Sequence, residues 1–247
     1  MKYEYHSGYI YYEKIGLGKP IIFLHGWGTS LDTFYRVATA ISPKYEVYLI
    51  DLPSFGNSKE PDHALDIQDL STILNDFITD LNLKQPIIVG HSYGGRIGIE
   101  YASKFNNIAK LILIDSAGIK RKHLRTFLKT NIYKLRKNYY KITHQLMKYQ
   151  NLILNSGSSD YQNSSNIQKQ MLIKAVNYNQ KHLINTITCE TLIIYGKNDL
   201  ITPLKDAYFL HKKIKNSGLV IIPNAGHFPY IENYSYFILV LTNYLEV

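Results

Sequence analysis

The chain has little of what builds disulfide frameworks or membrane spans. Its 247 residues include one cysteine, Cys189, which excludes an internal disulfide and a cysteine-based zinc cluster. No apolar run approaches the roughly 18 residues that a bilayer-spanning helix needs, and the opening stretch MKYEYHSGYIYYEK lacks the apolar core of a signal peptide. We therefore expect an intracellular, cytoplasmic protein in which Cys189 is a core residue.

Acidic residues are absent between Ser116 and Ser159. This segment holds ten of the 28 basic residues, which leaves 18 basic against 19 acidic residues elsewhere, so the net charge of +9 is local. Residues 131–148 predict a basic amphipathic helix with these lysines on one face: Lys134, Lys137, Lys141 and Lys148. Three interpretations stay open, namely a solvated face, docking of an acidic carrier protein or substrate, and contact with anionic lipid. No nucleic-acid motif accompanies the charge, so nucleic acid is not an expected partner.

Short apolar runs alternate with helical patterns along most of the chain. A hairpin pattern surrounds Ser7-Gly8, and strand-like runs follow at 20–26, 45–51, 86–92, 110–115, 190–196 and 218–223. Continuous apolar runs are typical of parallel strands buried on both faces. Helical patterns at 66–82, 95–105, 203–214 and 231–245 lie between or after them, which predicts a doubly wound α/β sheet.

This alternation stops in the middle of the chain. Residues 118–189 contain helical patterns, including one at 166–178, and few strand signals. The simplest interpretation is a sheet domain made of residues 1–117 and 190–247, interrupted by a small helical cap at 118–189.

The stretch VGHSYGG, at 89–95, follows one of these strands and precedes a helix. Its Gly90-x-Ser92-x-Gly94 pattern in this context predicts a sharp strand-to-helix turn that presents Ser92 at the carboxyl edge of the sheet. The glycines leave room for the turn, and the helix N-terminus favours negative charge beside the serine. Ser92 is therefore a candidate nucleophile rather than a simple turn residue.

A nucleophilic serine needs a base, and the base needs an orienting acid. Asp199 follows the strand TLIIYG, and His227 follows the strand GLVIIP. Because parallel strands bring such loops to one sheet edge, we predict a triad of Ser92, His227 and Asp199. Asp115, which ends the preceding strand, is the alternative acid.

The stretch LHGWG, at 24–28, supplies a candidate backbone donor for the oxyanion hole. Stabilising a tetrahedral oxyanion takes two backbone N–H donors. We expect these to be Tyr93, directly after the serine, and Trp27 in the LHGWG loop. His25 and Asp51 suit loop bracing better than catalysis.

Five motifs together resemble the α/β-hydrolase superfamily over nearly the whole chain outside the cap: HGWG, DLPSFGNS, VGHSYGG, GKNDLITP and NAGHFPY. The order serine, aspartate, histidine is also that of this superfamily. The resemblance implies a mostly parallel sheet of about eight strands with flanking helices and a helical cap. Ser54 stands where D-x-P-G-x-G-x-S usually has glycine, a mild departure. Serine rather than aspartate at position 92 argues against haloalkane dehalogenase or epoxide hydrolase chemistry.

The resemblance extends to small bacterial carboxylesterases, including the pimeloyl-carrier-protein methyl ester esterases, which act on an acyl chain tethered to an acidic carrier. We therefore expect a serine hydrolase that cleaves carboxylic ester or thioester bonds through an acyl-enzyme on Ser92. The alternatives are a C–C bond hydrolase of the meta-cleavage type and a non-catalytic ligand-binding protein of the same fold. No dinucleotide, Walker or metal-ligand motif is found in the sequence, so no cofactor and no metal are expected.

Overall fold

An eight-stranded sheet forms the centre of the fold. The computed structural model describes residues 1–120, 137, 139–142, 145, 147–148 and 162–247. The strands occupy the predicted hairpin and the predicted apolar runs, with small differences at their ends. They are β1 (Lys2–Tyr5), β2 (Gly8–Ile15), β3 (Lys19–Leu24), β4 (Tyr45–Ile50), β5 (Ile87–His91), β6 (Lys110–Ile114), β7 (Glu190–Gly196) and β8 (Ser217–Ile222).

The strand order is β1-β2-β4-β3-β5-β6-β7-β8. Strands β3 to β8 are parallel, and only β2 pairs antiparallel, with β1 and with β4. The chain passes from β3 to β4 on one side and returns to β5 on the other, which makes a topological switch between β3 and β5. Ligands of open α/β sheets bind at such a switch, outside the carboxyl ends of the strands.

Helices cover both faces of the sheet because successive strand side chains point to opposite faces. Ile22 and Leu24 face one buried cluster, and Ile21 and Phe23 face the other. The described helices are α1 (Tyr35–Ile41), α2 (Ile67–Asp80), α3 (Tyr93–Lys104), α4 (Asn166–Asn177), α5 (Leu204–Lys213), α6 (Pro229–Glu232) and α7 (Tyr234–Leu245). Helices α2, α3 and α5 contribute to the first cluster, and α1 and α7 contribute to the second.

The C-terminal helical pattern differs from the prediction of one helix over 231–245. The structure has α6 and α7 instead, with Asn233 between them at φ −134° and ψ 61°. Tertiary contacts hold this break: the Asn233 side chain donates to the Pro223 carbonyl, and the Glu232 carboxylate accepts from the N–H groups of Gly226 and Phe228. The predicted helix is therefore confirmed over Tyr234–Leu245, and its start differs because contacts with the loop after β8 override the local periodicity.

The predicted cap is only partly within the described residues. There, residues 118–189 contain α4 and two 3₁₀ turns, Gln180–His182 and Ile184–Thr186. The predicted basic helix at 131–148 lies mostly outside the described residues. The separation of cap and core stays a prediction. Among the described helices, we find none with the length and apolar character that a membrane crossing requires.

Candidate active site

Ser92 lies in the turn between β5 and α3, with φ 50° and ψ −102°. Such left-handed φ values are rare for residues other than glycine. Both backbone groups of Ser92 are held, since its N–H donates to Ile114 and its carbonyl accepts from Ala117. A side chain at Gly90 would collide with the backbone of Gly94. This is the strained strand-to-helix turn that the sequence predicts.

His227 lies in the loop after β8 and reaches Ser92. Its Nε2 is 3.0 Å from the Ser92 Oγ, and its Nδ1 is 2.8 Å from the Asp199 Oδ2. Because the Asp199 carboxylate accepts, the proton of the neutral imidazole belongs on Nδ1, which leaves Nε2 to accept the serine hydroxyl proton. His227 is therefore within hydrogen-bond distance of both Ser92 and Asp199.

Asp199 lies in the loop after β7 and accepts hydrogen bonds from other groups besides His227. Its Oδ1 accepts from the N–H groups of Ile201 at 2.7 Å and Thr202 at 3.1 Å, and its Oδ2 accepts from the Thr202 hydroxyl. Burial raises the pKa of Asp199, but the bonds from His227 and Thr202 outweigh it and hold that pKa well below its ordinary value. Asp199 is therefore ionised at neutral pH, as an orienting acid must be.

Asp115 ends β6 and lies beside Asp199. One of its oxygens accepts from the Gly196 N–H at 3.0 Å, and in the part of the chain that the structure describes the other has no hydrogen-bond partner. Burial, together with the neighbouring Asp199 carboxylate, raises the Asp115 pKa to about 9. The alternative acid is thus a neutral carboxyl group at neutral pH, while Asp199 contacts His227.

The loops after β3 and β4 are held together by hydrogen bonds to two buried side chains, His25 and Asp51. His25 accepts from the Leu52 N–H at 3.0 Å, and burial lowers its pKa to about 4. The Asp51 carboxylate accepts from the N–H groups of Leu31 and Asn57 at 2.8 Å each. Both side chains brace loops, as expected from the sequence.

The two predicted oxyanion donors border the same cavity as Ser92, which has a volume of about 330 Å³. Tyr93 is the first residue of α3, so its N–H has no acceptor within the helix. The Gly94 N–H donates to the His25 carbonyl at 3.1 Å, which holds the Trp27 loop against this helix end. The arrangement suits the binding of an oxyanion, and that role of the two amides stays a prediction.

Ser54 shows why glycine is usual at its position in the family motif. Its φ is 76°, in the left-handed region that favours glycine. The Gln168 side chain donates to the Ser54 carbonyl, which ties this turn to α4. The departure from the motif is therefore accommodated with some backbone strain.

A metal would have to compete with existing bonds at this site. Within the described residues, Asp115, Asp199 and His227 are the one group of at least three His, Cys, Asp or Glu side chains with converging ligand atoms, all within 4.8 Å. The His227 Nδ1 and the Asp199 Oδ2 already bond each other. The arrangement suits proton transfer better than metal binding.

His91, Thr202 and Arg96 are site residues that the sequence analysis did not identify. His91 is buried, and its Nε2 is 2.7 Å from the His227 carbonyl oxygen, to which it donates. Thr202 bonds Asp199, and Arg96 borders the cavity. The position of Arg96 directly after the VGHSYGG stretch was the available signal, because it places Arg96 in the first turn of the helix that follows Ser92.

Comparison with known proteins agrees with the fold. The family described as alpha/beta hydrolase fold matches residues 19–131 and 120–234, so the chain belongs to the alpha/beta hydrolase fold family.

Three particular proteins are similar over most of their length. A pimeloyl-[acyl-carrier protein] methyl ester esterase of Legionella pneumophila is 24% identical, over 96% of this chain and 99% of its own. A 2-hydroxy-6-oxo-6-(2'-aminophenyl)hexa-2,4-dienoic acid hydrolase of Metapseudomonas resinovorans is 25% identical, over 90% of this chain and 82% of its own. The structure of an esterase from Exiguobacterium antarcticum, 24% identical, superposes with a TM-score of 0.77, covering 97% of this chain and 96% of its own.

Proposed function

We propose that this chain is a serine hydrolase that cleaves carboxylic ester or thioester bonds through an acyl-enzyme on Ser92. The observation that carries the proposal is the chain of contacts from Ser92 to His227 to Asp199, at 3.0 Å and 2.8 Å. These are hydrogen-bond distances, and the residues meet in the order that activation of a serine requires. The esterase names of the relatives support the same reaction class.

The first half of the reaction acylates the serine. The Ser92 Oγ attacks the acyl carbon while its proton passes to the His227 Nε2. Asp199 stabilises the resulting imidazolium, and the N–H groups of Trp27 and Tyr93 receive the developing oxyanion. His227 then gives the proton to the departing alcohol or thiol as the bond to the acyl carbon breaks.

The second half releases the acid. Water enters where the alcohol left, and His227 takes its proton as the water oxygen attacks the acyl-enzyme. Collapse of this second tetrahedral intermediate breaks the bond to Ser92 and returns the proton to the serine. Each oxyanion donor of this kind contributes about 3 kcal/mol to transition-state stabilisation.

Labelling and mutation of Ser92 test this proposal. We expect a fluorophosphonate probe to label the wild-type chain and not Ser92→Ala, and we expect Ser92→Ala to lose at least about 1,000-fold in kcat on short-chain esters. Circular dichroism and the melting temperature control for folding. Full ester turnover by a folded Ser92→Ala chain would contradict the proposal, and failure of the wild type to react with the probe would favour the non-catalytic alternative.

A C–C bond hydrolase is the second candidate, because the Metapseudomonas relative carries the name of a dienoic acid hydrolase. The two candidates differ in the bond broken. A matched panel of aryl esters, thioesters and a vinylogous 1,5-diketone acid, each assayed with wild type and Ser92→Ala, separates them. A kcat/KM for the diketone above that for every ester and thioester would favour the second candidate.

Docking of an acidic carrier protein at the basic cap stays a prediction. The Legionella relative is named for a carrier-linked ester, which supports it. Charge reversal at Lys134, Lys137 and Lys141 is expected to weaken turnover of a carrier-linked ester and to spare a small one, and equal effects on both would argue against docking.

A further inference from the structure

Arg96 is a buried cation on the wall of the cavity that holds Ser92. It lies four residues after Ser92, in the first turn of α3, whose first residue is Tyr93. Its exposed fraction is 8%, and it borders the cavity together with Ser92 and Tyr93. The one hydrogen bond that the guanidinium makes to a described residue goes from Nη1 to the Tyr178 carbonyl, at 3.1 Å.

No described carboxylate pairs with Arg96. Glu100, one helical turn further along α3, is engaged by Lys104 at 2.8 Å and by the Tyr178 hydroxyl at 3.0 Å. Asp206 also borders the cavity. It forms no ion pair with Arg96, and it interacts with a different residue. Burial lowers the Arg96 pKa to about 10, so the guanidinium stays charged at neutral pH.

A buried cation that no described carboxylate pairs is unfavourable, and the Arg96 guanidinium has five N–H donors, of which one bonds a described residue. Two neighbours on the cavity wall are similar, since the Trp27 Nε1 and the Tyr93 hydroxyl are buried and have no hydrogen-bond partner among the described residues. Buried polar groups are normally hydrogen-bonded, so this wall suits a ligand that brings hydrogen-bond acceptors. The remaining wall is largely apolar, with Ala117, Leu172 and Ala175.

We propose that Arg96 binds a carboxylate carried by the substrate, so that the preferred esters are acid esters with a free carboxylate a short apolar distance from the scissile bond. A single guanidinium matches one monoanion, and its planar fork fits the two oxygens of a carboxylate. The proposal rests on the ester hydrolase function proposed above. It assigns Arg96 a specificity role, in contact with the part of the substrate that does not react.

Two matched substrate pairs test the proposal and show which side of the ester carries the anion. Monomethyl adipate and methyl hexanoate differ only by a carboxylate at the end of the acyl part, and 4-acetoxybutyrate and butyl acetate differ only by a carboxylate on the alcohol part. Titration of released acid gives kcat/KM for each. We expect the wild type to favour the acid member of at least one pair, and Arg96→Gln to lose about 10- to 100-fold on that member only.

Arg36→Gln is the matched control, because Arg36 is an exposed arginine stacked on Tyr234, outside the cavity lining. It is expected to leave all four rates unchanged. Equal losses on the acid and neutral members in Arg96→Gln, or a wild type that hydrolyses these esters and prefers neither acid member, would overturn the proposal. If Arg96→Gln fails to fold, the preference of the wild type for an acid member still tests the proposal.

A binding measurement separates this proposal from the proposed function. Calorimetry with Ser92→Ala and with Ser92→Ala/Arg96→Gln gives the affinity for monomethyl adipate and for 4-acetoxybutyrate without turnover. An affinity lower by about tenfold or more in the double variant supports the role of Arg96 even if the wild type hydrolyses none of the four esters. Equal affinities would overturn that role even if Ser92-dependent hydrolysis is found.

Discussion

The carboxyl groups of Asp115 and Asp199 lie side by side at the ends of adjacent strands, and only Asp199 bonds His227. The two are in different protonation states at neutral pH, because burial and the Asp199 charge raise the pKa of Asp115 while donors lower that of Asp199. When two carboxyl groups share a site, one of them keeps its proton.

Because Asp199 and not Asp115 bonds His227, we predict different effects on kcat for two similar substitutions. Asp199→Asn is expected to lower kcat by about 1,000- to 10,000-fold, because the amide favours the wrong imidazole tautomer. Asp115→Asn replaces a neutral carboxyl by a neutral amide and is expected to keep kcat within about threefold. Steady-state kinetics on one ester checks both, and a loss in Asp115→Asn as large as that in Asp199→Asn would make Asp115 the orienting acid.

The raised pKa of Asp115 also predicts how stability depends on pH. The folded chain keeps this proton up to a pH of about 9, whereas the unfolded chain loses it near the ordinary value of 3.8. The folded state therefore binds more protons between these pH values, so this group lowers the free energy of unfolding as pH rises through that window. Asp115→Asn lacks the effect and is expected to gain stability relative to wild type from pH 5 to pH 8, by on the order of a few kcal/mol.

Urea unfolding of both chains at several pH values measures this difference. Oδ1 of an asparagine at position 115 can still accept from the Gly196 N–H, so the comparison removes the titration and keeps that bond. A stability difference that does not change between pH 5 and pH 8 would contradict the assignment of a neutral carboxyl group.

The sequence predicts the sheet and the meeting of Ser92, His227 and Asp199 for one physical reason. Buried parallel strands read as continuous apolar runs, and the topology carries the residue after each run to the same edge, where Ser92, Asp199 and His227 meet. Local pattern was sufficient wherever the strand itself fixed the position of a side chain.

Local pattern failed where tertiary contacts decide. Helix α1 is short and its N-terminus has no side-chain cap, so no start signal marked it. The break between α6 and α7 depends on bonds from Glu232 and Asn233 to the loop after β8. The environment of Arg96 likewise depends on tertiary contacts. Glu100 contacts Lys104 and the Tyr178 hydroxyl, and Arg96 donates to the Tyr178 carbonyl. The spacing of these residues in the sequence does not reveal these contacts.

His91 holds the loop that contains His227, and it titrates differently in the folded and unfolded chains. Its Nε2–H donates to the His227 carbonyl, its Nδ1 lies 3.3 Å from the Tyr230 hydroxyl, and its ring packs 4.8 Å from that of His227. Burial lowers the His91 pKa to about 3, from an ordinary value of 6.5. The unfolded chain therefore binds more protons between these values, and the contribution of this group to stability is lost as pH falls from about 6.5 towards 3.

His91→Phe is expected to reduce kcat by about 10- to 100-fold, because the ring cannot hold the His227 backbone and small displacements of a catalytic group are costly. It is also expected to lower the free energy of unfolding at pH 7 by about 1–3 kcal/mol. This deficit should shrink at pH 4.5, since phenylalanine does not titrate. His91→Gln, which keeps a donor, should lose less activity. Denaturation at both pH values and kinetics on one ester measure these effects, and a deficit equal at pH 7 and pH 4.5 would show that His91 is not buried in its neutral form.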